Sequence, residues 1–107
     1  RYARVLEIFR TSKRLAPGVP TKTGIILGMG ETNEEVLATM RDLRGVDVDI
    51  LTLGQYLRPS DGHVALSRYV TPEEFRMFYD EGMAMGFRHV ESGPLVRSSY
   101  HAWEQVQ

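Results

Sequence analysis

The chain has 107 residues, 13 Lys and Arg against 14 Asp and Glu, a formal net charge of −1, and a composition that is 42% hydrophobic and 25% charged. That is a globular profile, and its balanced charge excludes a strongly basic nucleic-acid binder. No apolar run approaches the roughly 18 residues of a membrane helix, the opening RYARVLEIFR is amphipathic rather than a signal peptide, and zero cysteines exclude disulfides and thiolate metal ligands within this chain.

Tyr2, Val5, Leu6 and Phe9 recur at helical spacing, which predicts an opening helix with one apolar face turned to a sheet. Ala16-Pro17-Gly18-Val19-Pro20 ends it, because proline cannot continue the amide ladder. Thr21 to Val36, TKTGIILGMGETNEEV, then reads as strand, turn and helix start in immediate succession. Thr23 to Leu27 form a short apolar run of the kind buried on both faces of a parallel sheet. Gly28 and Gly30 remove side chains where the backbone must turn or a ligand must come close. Thr32, with Glu35 three residues on, is a capping box, so a helix is expected from about Asn33. Val36, Leu37, Met40 and Leu43 fall on its inner face, Glu34, Arg41 and Asp42 outside, and Gly45 is a candidate left-handed cap. In α/β proteins the carboxyl end of a strand beside a helix amino terminus is where ligands bind, which singles out Met29 to Thr32.

The pattern repeats. Val48 to Leu53 reads as a second strand, with Gly54 at its carboxyl end. Gln55 to Tyr69 is a polar segment of 15 residues without period, longer than the usual βα loop and read here as functional. Thr71-Pro72-Glu73-Glu74 supplies a second capping box with a first-turn proline, Phe75, Phe78, Tyr79 and Gly82 face inward, and Gly86 ends the helix. A third strand is expected from Phe87 to Glu91, followed by Ser92-Gly93-Pro94 and a loop running into a short helix. Three strands alternating with helices predict a parallel α/β sheet with right-handed crossovers. Since a closed barrel takes about eight strands and roughly 250 residues, the chain reads as the carboxyl-terminal portion of a partial (β/α) TIM-like barrel. Its parts are a helix and linker (1–20), two βα units (21–45 and 46–86), and a last strand with a terminal segment (87–107).

Gly24-Ile25-Ile26-Leu27-Gly28-Met29-Gly30-Glu31 fits the G-x-I-x-G-x-x-E element that radical S-adenosylmethionine (SAM) enzymes carry on the fifth strand of such a barrel. With DILTLGQYLRPS, RYVTPEEF and GFRHVESGPLVRSSYHA, residues 20 to 102 resemble the carboxyl-terminal portion of the lipoyl synthases. The resemblance implies SAM binding near Gly24, Ile26, Gly28, Gly30 and Glu31, with Gln55 and Arg58 as further cofactor-binding candidates. It implies two four-iron four-sulfur clusters, one of Ser98 or Ser99 in Arg97-Ser98-Ser99-Tyr100 being a ligand of the auxiliary one. The family's two cysteine triplets are absent here, so this stretch is expected to be inactive alone, and no catalytic residue is assigned within it. The implied reaction inserts two sulfurs, at C6 and C8 of an octanoyl chain held on a lysine. The implied partners are an octanoylated lipoyl carrier domain, from a dehydrogenase complex or the glycine cleavage H protein, and a ferredoxin or flavodoxin donor. Nucleic acid and membrane are not expected partners, and the expected location is the cytoplasm, or the mitochondrion in a eukaryote.

Each of these groups also has a plainer reading. The glycines can serve tight strand-to-helix packing, and Glu31 can favour the positive end of the helix dipole, worth roughly 0.3–1 kcal/mol. Gln55, Tyr56 and Arg58 can be ordinary polar residues of a wet loop, and Gln55 to Tyr69 a wall of the acyl site or a carrier-docking segment. Lys13, Arg10 and Arg14 read as a solvated helix face. His63, His89 and His101 have no metal-ligand spacing, and Ser98 and Ser99 read by themselves as helix caps. Two rivals remain: another radical SAM enzyme that shares GIILGMGE without RSSY, and a non-catalytic module holding a phosphate or nucleotide at Gly28 to Thr32. The second has neither a lysine after the glycines nor a G-x-G-x-x-G.

Overall fold

Both periodicities are realised. The computed structural model describes residues 2–57 and 68–94, in the order α1 (Tyr2–Leu15), β1 (Lys22–Leu27), α2 (Asn33–Gly45), β2 (Ile50–Gln55), α3 (Pro72–Met85) and β3 (His89–Ser92). The strands form one parallel, open sheet in the order β1-β2-β3. Lys22 pairs with Ile50 and Ile50 with His89, and Gly24 pairs with Thr52 and Thr52 with Glu91, so corresponding strand positions lie in rows across the sheet.

Alternation along the strands decides where the core sits. Leu27, Leu51, Leu53 and Val90 are buried, and they meet Val36, Met40 and Leu43 of α2 and Phe75 and Phe78 of α3. Removing a side chain such as Phe78 or Met40 from water contributes about 1.5–3 kcal/mol each. Gly82 lets α3 come close: a Cβ there would lie 3.0 Å from Val90 and 3.3 Å from Met40. The opposite face is open among the described residues. Gly24 and Ile26 are exposed on it, so β1 is not the strand buried on both faces that its apolar run predicts.

Other boundaries move for reasons visible in the hydrogen bonds. β2 begins at Ile50 rather than Val48, because the Val48 amide donates to Leu43 O and helps to close α2. It runs on through Gln55, so Gly54 lies inside the strand. β3 begins at His89 rather than Phe87, whose amide donates to Gly82 O at the end of α3. The left-handed residue after α2 is Asp47 (φ 62°), while Gly45 stays helical; Gly86 (φ 101°) ends α3 as expected. Tyr79 is 42% exposed instead of inward, and in α1 Leu6 and Phe9 pack on the core while Val5 is exposed. Lys13 does not belong to a solvated face: its Nζ donates to Asp49 Oδ2 at 2.6 Å, with both side chains largely buried.

Candidate functional site

Parallel pairing brings all three strand ends to one rim, and the expected ligand-binding turn lies there. Gly28 (φ 94°) and Gly30 (φ 115°) take a left-handed backbone that L side chains rarely adopt. This curls the chain so that the Glu31 carboxylate receives the Gly28 amide at 2.7 Å and the Met29 amide at 3.0 Å. Burial opposes ionisation of Glu31, but those amides and nearby Arg68 outweigh it and lower its pKa. Glu31 therefore closes the turn, beside the Thr32 N-cap of α2. It also occupies two amides that an anion would need, which weighs against the phosphate-binding reading. The Thr32–Glu35 capping box then starts α2.

A second set of contacts sits against this turn. Gln55 Oε1 accepts the Val70 amide at 2.8 Å, while its Nε2 donates to the carbonyls of Tyr56 and Arg68, each at 3.1 Å. The end of β2 is thereby tied to the chain that returns toward α3. Arg68 Nη1 donates to Glu74 Oε1 at 2.7 Å and Nη2 to Asn33 Oδ1 at 3.1 Å, and Asn33 Nδ2 closes the triangle on Glu74 Oε2 at 3.0 Å. Asn33 opens α2, and Glu74 belongs to the capping box of α3, so one guanidinium joins both helix starts. The Arg68 hydrogen bond, then the Thr71 amide and Asn33, hold the Glu74 pKa at about 2. Gly28 has no room for a side chain beneath this arrangement: an added Cβ would lie 2.6 Å from Arg68 O and closer still to Gln55 Nε2.

On the open face, Gly24 and Ile26 lead up to the same turn. A Cβ at Gly24 would meet Thr52 Oγ1 at 2.7 Å, and Ile26 presents an apolar side chain that is 54% exposed. Glu91, in the row of Gly24 and Thr52, has one buried oxygen without a hydrogen-bond partner among the described residues, and its other oxygen is 3.4 Å from His89 Nε2. On the helix side, an apolar hollow of about 340 Å³ lies between α3 and the end of β3, lined by Val70, Phe75, Tyr79 and Pro94 among others.

No family model matches the chain. It is 58% identical over all 107 residues to the lipoyl synthase of Rubrobacter xylanophilus, 60% over 106 residues to that of Koribacter versatilis, and 56% over 105 residues to that of Staphylococcus aureus. Along its whole length the chain is similar to one part of the lipoyl synthases. It spans about a third of the length of these curated relatives, 33%, 35% and 34% respectively.

Of the residues that the lipoyl synthase resemblance singles out, the fold brings Gly28, Gly30 and Glu31 together in the rim turn and sets Gly24 and Ile26 on the open face leading to it. Gln55 is at the same rim, but its amide is engaged with backbone on both sides, a clamp rather than a free ligand-binding group. Arg58, Ser98 and Ser99, like His63 and His101, lie outside the described residues. Among the described residues no group of three or more His, Asp or Glu could hold a metal ion, and no helix is long and apolar enough to cross a membrane. Sequence reasoning missed Arg68 and Asn33. The available signal was their position: one residue opens the first capped helix, and the other stands three residues ahead of Thr71.

Proposed function

We propose that the full-length protein of which this chain is a third is a lipoyl synthase, a transferase that inserts two sulfurs, at C6 and C8 of octanoyl-lysine on a lipoyl carrier domain. The observation that carries this reading is the 54–60% identity to proteins named lipoyl synthase over nearly the whole chain. SAM and two four-iron four-sulfur clusters are the implied cofactors; when bound, they supply a 5′-deoxyadenosyl radical for hydrogen abstraction and the sulfur that is inserted. The open-face surface fits the nucleoside part of SAM, because Ile26 offers exposed apolar area and Gly24 leaves the backbone uncovered beside it. Gly28 and Gly30 let the chain turn at the rim, and Glu31 holds that turn rigid, so its geometry is set before any ligand arrives. The role of this chain is to orient cofactor and acyl chain and to limit water at the rim. Ser98 or Ser99 would ligate the auxiliary cluster, the segment from Gln55 to Tyr69 would wall the acyl site or receive the carrier, and ferredoxin or flavodoxin would supply electrons in the cytoplasm or mitochondrion.

The test uses the full-length protein with reconstituted clusters, SAM, a reductant and an octanoyl-lysine peptide. Mass spectrometry should show two sulfurs replacing two hydrogens. SAM cleavage without sulfur insertion would move the protein to another radical SAM activity. In the same assay Ser98→Ala and Ser99→Ala separate ligand from cap: one of them should lose iron and insertion while losing no more than the roughly 0.5–2 kcal/mol a cap contributes.

A further inference from the structure

The chain touches Gly28 from two directions. From within the turn, its amide is held by Glu31. From outside, Gln55 Nε2 and the Arg68 carbonyl occupy the space where a Cβ would stand. Gln55 is the last residue of β2 and Arg68 precedes α3, so these two contacts are the two ends of one connection, meeting over one glycine. Arg68 is itself fixed at its head by Glu74 and Asn33. Displacing Arg68 would move its carbonyl away from Gln55 and Gly28, and would loosen Asn33 at the first turn of α2, five residues after Gly28.

We propose that Gln55 and Arg68 are positioning residues that latch the β2–α3 connection over Gly28, so that the rim turn at Gly28–Glu31 keeps its binding geometry only while both ends of that connection are closed. The kinetic part rests on the lipoyl synthase reading; the structural part does not. Gln55 acts through hydrogen bonds to Tyr56, Arg68 and Val70, and Arg68 through Asn33, Glu74 and its own carbonyl.

The decisive variants are Gln55→Glu and Arg68→Gln in the full-length protein. Gln55→Glu keeps size and the acceptor for Val70, but sets an oxygen against the Tyr56 and Arg68 carbonyls. Hydrogen exchange without substrate should show the Gly28 and Met29 amides exchanging about tenfold faster or more, as a locally opened segment does. KM for SAM should rise about tenfold or more, because apparent affinity falls with the fraction of molecules whose turn is formed. Iron content should stay parental and kcat should fall less than KM rises. Arg68→Lys, which keeps the ion pair with Glu74 and loses the second prong to Asn33, should fall between parent and Arg68→Gln. It carries both readouts should either stronger variant not accumulate. Parental exchange at Gly28 and Met29 together with parental KM, even with a lowered melting temperature, would reduce these residues to structural support. If exchange rises but the parental protein inserts no sulfur, the activity reading falls and the latch stands.

Discussion

The two rims of the sheet solve the same problem differently. At the amino rim, where strands begin, the ties are short and largely backbone: Asp49 O accepts the Arg88 amide at 2.8 Å, Thr21 O accepts the Ile50 amide at 2.9 Å, and Arg44 donates to Val48 O at 2.7 Å with its guanidinium 5.7 Å above the Phe87 ring. Asp49 adds Lys13 and the Thr21 amide, so one carboxylate holds α1, the entry to β1 and the entry to β2. The carboxyl rim has backbone ties as well, the Tyr56 amide to Leu27 O at 2.8 Å and the Gly93 amide to Leu53 O at 3.1 Å, but adds a larger set that runs through side chains, Glu31, Gln55, Arg68, Asn33 and Glu74, around two glycines with positive φ. Backbone ties hold whatever side chains are present, whereas side-chain ties fix particular residues. The amino rim is built to join strands, and the carboxyl rim to hold one specific shape.

Substitutions at each rim test that contrast, and all are best made in the full-length protein and followed by denaturant unfolding. Gly28→Ala should have the largest effect, because positive φ and two blocked directions act together; a loss of about 3 kcal/mol is expected. Gly30→Ala is its control, having positive φ but open space around the added Cβ, and should lose only about 1–2 kcal/mol. Equal losses would mean that Gln55 and Arg68 do not press on Gly28. At the amino rim Asp49→Ala should cost about 1–3 kcal/mol, since it strands a largely buried Lys13 and the Thr21 amide. The Lys13 hydrogen bond, then the Thr21 amide, lower the Asp49 pKa. A fall in SAM affinity matching that of the latch variants would show that the rims are not separable.

A smaller effect concerns pH. The Glu74 carboxyl is held at about 2 against an ordinary 4.5, so its contribution is fully present above pH 4.5 and is lost as pH falls toward 2. Stability of the parent should therefore fall more steeply through that window than stability of Glu74→Gln. Parallel curves would mean that Arg68 does not hold Glu74 ionised.

Much of the fold was legible because local rules and packing agree. Both capping boxes are where Thr32–Glu35 and Thr71–Glu74 put them, and the two positive-φ glycines stand where the turn was read. The errors fall where tertiary bonds override local pattern. Val48 and Phe87 are apolar and β-prone, yet their amides close the preceding helices. Lys13 looks like one more surface cation until Asp49, 36 residues later, is brought beside it. The same holds for the site. Its glycines could be read from spacing, but the Arg68–Asn33 contact spans 35 residues and has no local signature.

The latch has two chemically unlike halves. Gln55 is neutral and works through short dipolar bonds to backbone, whereas Arg68 and Glu74 are opposite charges with side chains 38% and 23% exposed. Dissolved ions weaken the second kind of tie and barely touch the first, since the screening length shrinks from about 10 Å at 0.1 M salt to about 3 Å at 1 M. Raising ionic strength should therefore loosen Arg68 at its head and, through Asn33, the start of α2, while Gln55 limits how far the Arg68 carbonyl moves. Exchange at Gly28 and Met29 should climb with salt in the parent and stay flat in Arg68→Gln. In that sense the rim turn is coupled to the ionic composition of its surroundings through one guanidinium and insulated from it by one amide.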